Sequence, residues 1–410
     1  MHQKIKPSVI GLGYVGLPVF IRLKKKFKTI GFDNNKLRIK FLKDNVDINN
    51  EFKSQDLKLL NYSKYTCDPK SLRESNFFII TVPTPLIKKT KPDLSYLKNA
   101  FIEISKHIKK DDIIIVESTV YPGVTRSLAT KYIQDKKKLK IGSDFFIGYS
   151  PERINPGDKK HQIENTNKIL AIDTDNKIVI KKIKEVYRCI TKKLVLSESI
   201  EDAETAKVIE NIQRDLNIAL MNDIFIFCKK MNYNYGNIIK LASSKWNFLK
   251  FDAGLVGGHC LPVDPYYLSY IAKKNKISLD TVLAGRKVNT KLNDYIFEEI
   301  KKKISKLKKS KNNVKILISG ITYKKDVADI RNSYPLEIYL KLKKIFKNVY
   351  AHDAFCDDLN CRKYKIIQKL NSNITYDFVI FLVNHRTNIN LYKKLKFKRT
   401  KIYDPFNFYS

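Results

Sequence analysis

The chain has 410 residues, 43% of them hydrophobic, and a formal net charge of +38 at pH 7. That length exceeds one ordinary core and predicts two or three packed units. No run of about 18 apolar residues is present to cross a bilayer, and Met1-His2-Gln3-Lys4 leads almost directly into an apolar strand, so a soluble cytoplasmic protein with no membrane partner is expected. The six cysteines, Cys67, Cys189, Cys228, Cys260, Cys356 and Cys361, form no CxxC pair. Neither a metal site nor a disulfide framework is indicated. The lysines are spread along the whole chain, as in Lys24-Lys25-Lys26 and Lys301-Lys302-Lys303, rather than gathered on one basic element with interleaved aromatics. No nucleic-acid partner is expected, although such a charge favours nonspecific attraction to polyanions at low salt.

Apolar runs at Ser8 to Ile10, Thr29 to Phe32, Phe77 to Val82, Ile113 to Glu117, Phe145 to Tyr149 and Ile169 to Ile172 read as strands, and amphipathic stretches alternate with them. That alternation predicts a mainly parallel sheet with helices on both faces. From Ser199 to Met231 runs a pattern without Gly or Pro, opened by a serine and a cluster of acids that suit a helix start. An irregular, glycine-rich stretch follows, and the helical pattern returns over Tyr266 to Lys303. After a lysine-rich junction, Lys306 to Asn313, come Val314 to Ile321, a helix over Pro335 to Phe346, Val349 to His352, Phe378 to Val383 and Ile402 to Tyr403. The fold class expected is α/β, with two Rossmann-like doubly wound domains, 1–198 and 306–410, joined by a long central helix and helical module over 199–305.

Gly11-Leu12-Gly13-Tyr14-Val15-Gly16 lies between the first strand and a helix. This is the context in which GxGxxG binds a dinucleotide: the glycines permit a tight turn and let backbone approach a pyrophosphate at the helix N-terminus. Asp33, ending the next strand, is placed to accept hydrogen bonds from an adenosine ribose, which favours NAD over NADP. The alternatives at this stage are a glycine turn with no ligand, and some tolerance of NADP given Lys36 and Arg38.

Gly257-Gly258-His259-Cys260-Leu261-Pro262-Val263-Asp264-Pro265 gathers glycines, a thiol and a carboxylate in one irregular segment. A thiolate that attacks an aldehyde gives a thiohemiacetal, which can lose hydride and become a thioester. In isolation, a structural cysteine is the commoner reading. Lys207 and Asn211 are four residues apart on the long helical pattern and share a face. They can hold a developing oxyanion and lower the thiol pKa, or simply form a solvated face.

Taken together, these residues resemble the UDP-glucose/GDP-mannose dehydrogenase family. The likeness extends over all three regions through Gly11 to Pro18, Thr81-Val82-Pro83-Thr84-Pro85, Glu117 to Gly123, Ser150-Pro151-Glu152-Arg153, Gly257-Gly258-His259-Cys260 and Asp329-Ile330-Arg331-Asn332-Ser333. The resemblance implies two hydride transfers to two NAD molecules, with the sugar C6 carried to a thioester on Cys260 and then to a carboxylate. It implies that Lys207 and Asn211 stabilise oxyanions, that Asp264 orients or activates water, and that Thr119 and Glu152 handle proton transfer and hydrolysis. No metal is needed. The cofactor contacts it implies are Gly11, Gly13, Tyr14, Val15, Gly16, Asp33, Arg38, Thr84, Thr119 and Arg331. For the UDP-sugar it implies Tyr149, Ser150, Pro151 and Glu152, Lys207 and Asn211, Leu249, Lys250, Phe251, Asp252 and Ala253, Gly257, Arg286 and Lys324, with the two cations suited to a diphosphate. A homodimer built on the central helix is also implied.

The stretches Lys207 to Ala219 and Lys245 to Leu249 resemble the branch acting on UDP-N-acetylhexosamines to supply surface-polysaccharide precursors, with UDP-GlcNAc or UDP-GalNAc as substrate. Val263 stands where the UDP-glucose branch typically carries lysine. Ala253 replaces a common proline in the loop before the glycines, and Tyr334 stands where proline usually follows the serine directly. UDP-glucose and UDP-ManNAc oxidation are close alternatives. A one-step hydroxyacid dehydrogenase would leave Cys260 without a use, and a basic binding protein that has lost activity would leave the intact Cys260, Lys207, Asn211 and Asp264 without one.

Overall fold

The computed structural model describes residues 4–48, 52, 54–58, 64–88, 90–153, 163–370, 374–397 and 400–409. The chain divides into two compact units: Met1–Glu210 with Tyr266–Ile277, and Asn211–Pro265 with Ser278–Ser410.

In the first unit an eight-stranded sheet runs in the spatial order Lys64–Thr66, Ile30–Phe32, Pro7–Ile10, Phe77–Ile80, Ile113–Val116, Phe146–Tyr149, Lys168–Ile172, Leu194–Ser197. Phe77–Ile80 and Ile113–Val116 at its centre are apolar at every position because both faces are covered. Phe78, Ile80, Ile114 and Val116 join one core with Phe101, while Phe77, Ile79, Ile113 and Ile115 join the other with Phe20 and Tyr187. The strands Lys64–Thr66 and Leu194–Ser197 were not anticipated. Both lie at sheet edges and are half exposed, and their apolar runs are no longer than three residues.

The first six strands are parallel, but Lys168–Ile172 runs antiparallel to Phe146–Tyr149, with Gly148 opposite Ile172 and Tyr149 opposite Ala171. A Cβ on Gly148 would lie 2.6 Å from the Ala171 carbonyl oxygen, so the close approach of the reversed strand requires glycine there. Reversal brings the start of that strand, Lys168, to the edge where the parallel strands end. Ligands of open α/β sheets bind at that edge.

The predicted long helix spans Ile200–Lys230 and contributes to both units. Ser199 Oγ accepts the Asp202 N–H at 2.9 Å, and Glu201 and Asp202 occupy the first turn, where the helix dipole favours them. Further along, the wholly buried Glu204 accepts the N–H groups of Gly123 and Thr125 at 2.5 and 2.9 Å, and so caps the helix Val124–Ala129.

The second unit holds a five-stranded parallel sheet in the order Ile366–Ile367, Asn348–His352, Lys315–Ser319, Phe378–Phe381, Lys401–Tyr403. Ile316, Ile318, Phe378 and Ile380 pack on one side with Leu292 and Ile296 of the helix Asp280–Ser305; Leu317, Val379 and Phe381 pack on the other. Two Rossmann-like sheets and a long helix thus match the expected fold class. Among the described residues no helix is long and apolar enough to cross a membrane.

Burial pushes the Glu204 carboxyl up from 4.5 to about 7 against its two N–H partners. Unfolded, the same carboxyl ionises near 4.5, so its contribution favours the fold most below pH 4.5 and is lost as pH rises towards 7. The loss is on the order of 3 kcal/mol. Glu204→Gln removes the titration, and its melting temperature should fall less between pH 4.5 and 7.5 than that of the unsubstituted chain. Equal pH dependence of the two melting curves would refute the assignment.

Candidate active site

In the first unit the glycine turn is built around one backbone approach. Gly11 has φ +94°, and Thr81 Oγ1 donates to the Gly11 and Ile10 carbonyls at 2.6 and 3.1 Å. A Cβ on Gly16 would overlap the Gly11 carbonyl and Thr81 Oγ1, whereas one on Gly13 would meet nothing within 4 Å. Gly16 is therefore required by packing, and Gly13 borders open space at the N-terminus of the helix Gly16–Lys24. Open backbone at a helix N-terminus fits a pyrophosphate. Asp33 is held by the N–H groups of Leu12 and Asn35 at 2.8 and 2.9 Å, which fixes its carboxylate at the strand end and leaves acceptor capacity for ribose hydroxyls.

Arg38 is 4% exposed, with Nε donating to the Leu12 carbonyl at 2.8 Å and Nη1 to Asp47 at 2.7 Å. One of its nitrogens thus braces the glycine turn and a second is taken by Asp47, which weakens its use as a partner for an NADP phosphate. Thr84 Oγ1 donates to the Thr119 carbonyl at 2.8 Å, and Tyr267 donates to the Thr84 carbonyl, so the loops after two neighbouring strands are tied together. Tyr149 and Ser150 are buried at the next strand end, and Ser150 Oγ donates to the Ile169 carbonyl at 2.7 Å. All these expected residues share the carboxyl edge of one sheet. Lys207 lies on the long helix, 8% exposed.

In the second unit, Asn211, one turn along the helix from Lys207 and 4% exposed, donates from Nδ2 to Asp264 Oδ2. Burial of both side chains removes the solvated-face reading. Cys260 is partly exposed, and its carbonyl accepts the N–H groups of Val263 and Asp264 at 3.0 and 2.9 Å, where the helix Asp264–Lys274 begins. Asn211 thus holds the Asp264 side chain, while the short turn 260–264 ties the Asp264 backbone to that of Cys260.

Gly257 and Gly258 have neighbours that the sequence did not disclose. A Cβ on Gly257 would lie 2.7 Å from Tyr323 Cβ and 2.8 Å from the Asn332 carbonyl oxygen; Gly258 has φ +91°, and a Cβ there would lie 2.7 Å from the Tyr323 ring. Gly258 N–H donates to the Arg331 carbonyl at 3.1 Å and Asn332 Nδ2 to the Gly258 carbonyl at 2.9 Å, which fastens the cysteine loop to the 329–333 segment. The Arg331 guanidinium pairs with Asp329 at 2.7 Å. Of the 249–253 loop, Leu249, Lys250 and Asp252 are exposed, Phe251 is partly buried and Ala253 is buried.

The Ala253 N–H, which proline would lack, donates to Tyr235 Oη at 3.2 Å, and Asn222 brackets Gly254 through both its N–H and its carbonyl at 2.8 and 3.1 Å. Lys324 is half-buried. Arg286 is placed differently from a free diphosphate ligand: it is 3% exposed and paired through Nη1 with Asp215, which also accepts from Asn289 at 2.8 Å. The pair occupies Nη1 only, and Nε of Arg286 is left without a hydrogen-bond partner among the described residues.

Three profiles of one family match the chain end to end: its NAD binding domain over residues 5–191, its central domain over 201–291 and its UDP binding domain over 317–410. The chain belongs to the UDP-glucose/GDP-mannose dehydrogenase family. Within this family it is 40% identical to a UDP-N-acetyl-D-glucosamine 6-dehydrogenase of Salmonella typhi, over 94% of this chain and 91% of that one. It is 32% identical to a UDP-N-acetyl-D-mannosamine dehydrogenase of Methanocaldococcus jannaschii, over 85% and 79%. The solved structure of a UDP-D-ManNAc dehydrogenase from Pyrococcus horikoshii superposes with a TM-score of 0.86 at 26% identity, covering 99% of this chain and 96% of that one. Membership makes this an NAD-dependent oxidoreductase of nucleotide sugars, and the open glycine turn with its anchored Asp33 suits NAD.

The two glycines separate packing from binding. Gly13→Ala should leave the melting temperature within about 2 °C but weaken NAD binding roughly tenfold or more, about 1.4 kcal/mol. Gly16→Ala should cost about 1–3 kcal/mol of stability through overpacking. Calorimetric titration with NAD and thermal melts of both variants test this, and unchanged NAD affinity in Gly13→Ala would place the pyrophosphate elsewhere.

Proposed function

We propose that this chain oxidises the C6 alcohol of a UDP-N-acetylhexosamine, UDP-GlcNAc or UDP-GalNAc, to the UDP-uronic acid that a surface-polysaccharide pathway consumes. One alcohol, two NAD and one water give one carboxylate, two NADH and three protons. NAD supplies the hydride acceptor in both oxidations. The Cys260 thiolate adds to the aldehyde-level carbon, and loss of hydride from that adduct leaves a thioester. Water then attacks the acyl carbon, the C–S bond breaks with its electron pair returning to sulfur, and the acid is released. Lys207 and Asn211 stabilise the oxyanions, Thr119 takes part in proton transfer, Asp264 orients water, and Glu152 is the base for hydrolysis. Gly257, the 249–253 loop, Tyr149 to Glu152, Arg286 and Lys324 hold the UDP-sugar, and Arg331 adds a contact to the cofactor. The enzyme is cytoplasmic and works as a homodimer.

The observation that carries this reading is the turn in which Asn211 hydrogen-bonds Asp264 and Asp264 N–H caps the Cys260 carbonyl. A carboxylate held by an amide, in the same hydrogen-bonded turn as a partly exposed cysteine, has no use in a one-step dehydrogenase. The N-acetylhexosamine assignment draws on the 40% identity to the Salmonella typhi enzyme and on Val263.

An NADH-coupled panel of UDP-glucose, UDP-GlcNAc, UDP-GalNAc and UDP-ManNAc should show fastest turnover with GlcNAc or GalNAc and two NADH per acid formed. Preference for UDP-glucose or UDP-ManNAc would overturn the substrate, and one NADH per product would overturn the chemistry. Cys260→Ser should lower acid release by a factor of about 10³ or more while NAD still binds. Acid formation at the native rate in that variant would rule out the thioester.

A further inference from the structure

Behind Glu152 lies a charge cluster whose cation, Lys168, belongs to none of the family motifs quoted above. Lys168, the first residue of the reversed strand, is 3% exposed, and its Nζ lies 3.0 Å from both Glu117 Oε2 and Glu152 Oε2. Glu117 is sealed in the core and takes a second hydrogen bond on Oε1, from the Tyr187 hydroxyl at 2.7 Å. The Tyr187 ring also faces the ammonium at 6.0 Å. Glu152 is the outer member, its side chain 10% exposed.

The backbone reinforces this placement. Ser150 Oγ is bonded to the Ile169 carbonyl at 2.7 Å and Arg153 Nη1 to the Asn167 carbonyl at 3.0 Å, so residues 150–153 are stitched to 167–169 on both sides of the ion pair. Arg153 and Glu210 pair beside it.

We propose that Lys168 is the positioning residue for Glu152, orienting its carboxylate at the carboxyl edge of the sheet, while Glu117 and Tyr187 anchor the ammonium from within. This rests on the reading of Glu152 as the base that takes the proton of the hydrolytic water, as the thioester C–O bond forms and the C–S bond breaks. Burial alone would discharge a lysine at this depth, but its two carboxylate neighbours outweigh that and hold its pKa above the ordinary lysine value. Removing the cation leaves two carboxyl groups sharing one dry pocket, where like charges cannot both persist and one must keep its proton. Burial already raises Glu117, the inner acid, which keeps that proton, and Glu152 loses the donor that orients it for hydrolysis; both hydride transfers precede that step and do not require it.

The test compares Lys168→Met, Lys168→Arg and Glu152→Gln with the native enzyme, using whichever sugar of the panel is oxidised. Lys168→Met should lower steady-state turnover roughly tenfold to a hundredfold, with KM for the sugar falling alongside so that kcat/KM stays within about twofold. A rapid-quench burst approaching two NADH per site should persist, and acid-quenched intact mass should show the acyl adduct accumulating on Cys260. Lys168→Arg, which keeps the charge, should recover most of the lost rate. Should the methionine variant not fold, Lys168→Gln retains a donor without the charge and makes the same comparison. Native turnover in Lys168→Met, loss of burst and turnover in equal proportion, or no rescue by arginine would each overturn the proposal. Hydrolysis at the native rate in Glu152→Gln would instead sink the reading of Glu152, and is read from that variant alone.

Discussion

The constraint behind the first unit is that its sheet is covered on both faces. Phe77 to Ile80 and Ile113 to Val116 are wholly buried, and their side chains divide alternately between two cores. A strand packed on both faces has no room for unpaired polar groups along its length. Polar function is therefore displaced to the strand ends, where Gly11 to Gly16, Asp33, Thr84, Thr119 and Ser150 to Glu152 gather. Turns at those ends can be tight only where side chains are absent, which accounts for Gly11 and Gly16.

Reversal of one strand extends the same logic. In a wholly parallel sheet, the edge at which Glu117 and Glu152 sit receives only residues that follow strands. Because Lys168–Ile172 runs the other way, it delivers a residue that begins a strand. Gly148 makes the close pairing possible, and Lys168 supplies the charge that the two acids need. Burial still raises the Glu117 carboxyl above its ordinary value despite that partner, as it raises Glu204 at the helix it caps.

The second unit solves its polar problem through backbone contacts. The cysteine loop is fastened by Gly258 to Arg331 and Asn332, and the 249–254 loop is fastened by Tyr235 and Asn222. Ala253 is instructive in this respect. Its departure from proline reads as a defect in the sequence, yet it contributes a donor that Tyr235 uses. Asn222 passes the contact on to Asn289 at 2.8 Å and thence to Asp215 and Arg286, so a buried polar network connects the long helix with the loop.

Apolar runs, a glycine pattern between strand and helix, and an uninterrupted helical stretch determined the fold class, the dinucleotide turn and the long helix, because each depends on local spacing that survives in one dimension. The residue types around Cys260 likewise stated their chemistry, since Asp264 is four positions away and Asn211 shares a helix face with Lys207. The edge strands Lys64–Thr66 and Leu194–Ser197 were illegible: they are three and four residues long, half exposed, and owe their existence to a neighbouring strand. Only the tertiary structure decided that Arg286 is committed to Asp215, that Gly257 and Gly258 make room for Tyr323, and that Lys168 joins Glu117 to Glu152. Those partners are separated by between 16 and 71 positions along the chain, and the forces that join them, desolvation and charge pairing, act only once the strands and helices have enclosed them.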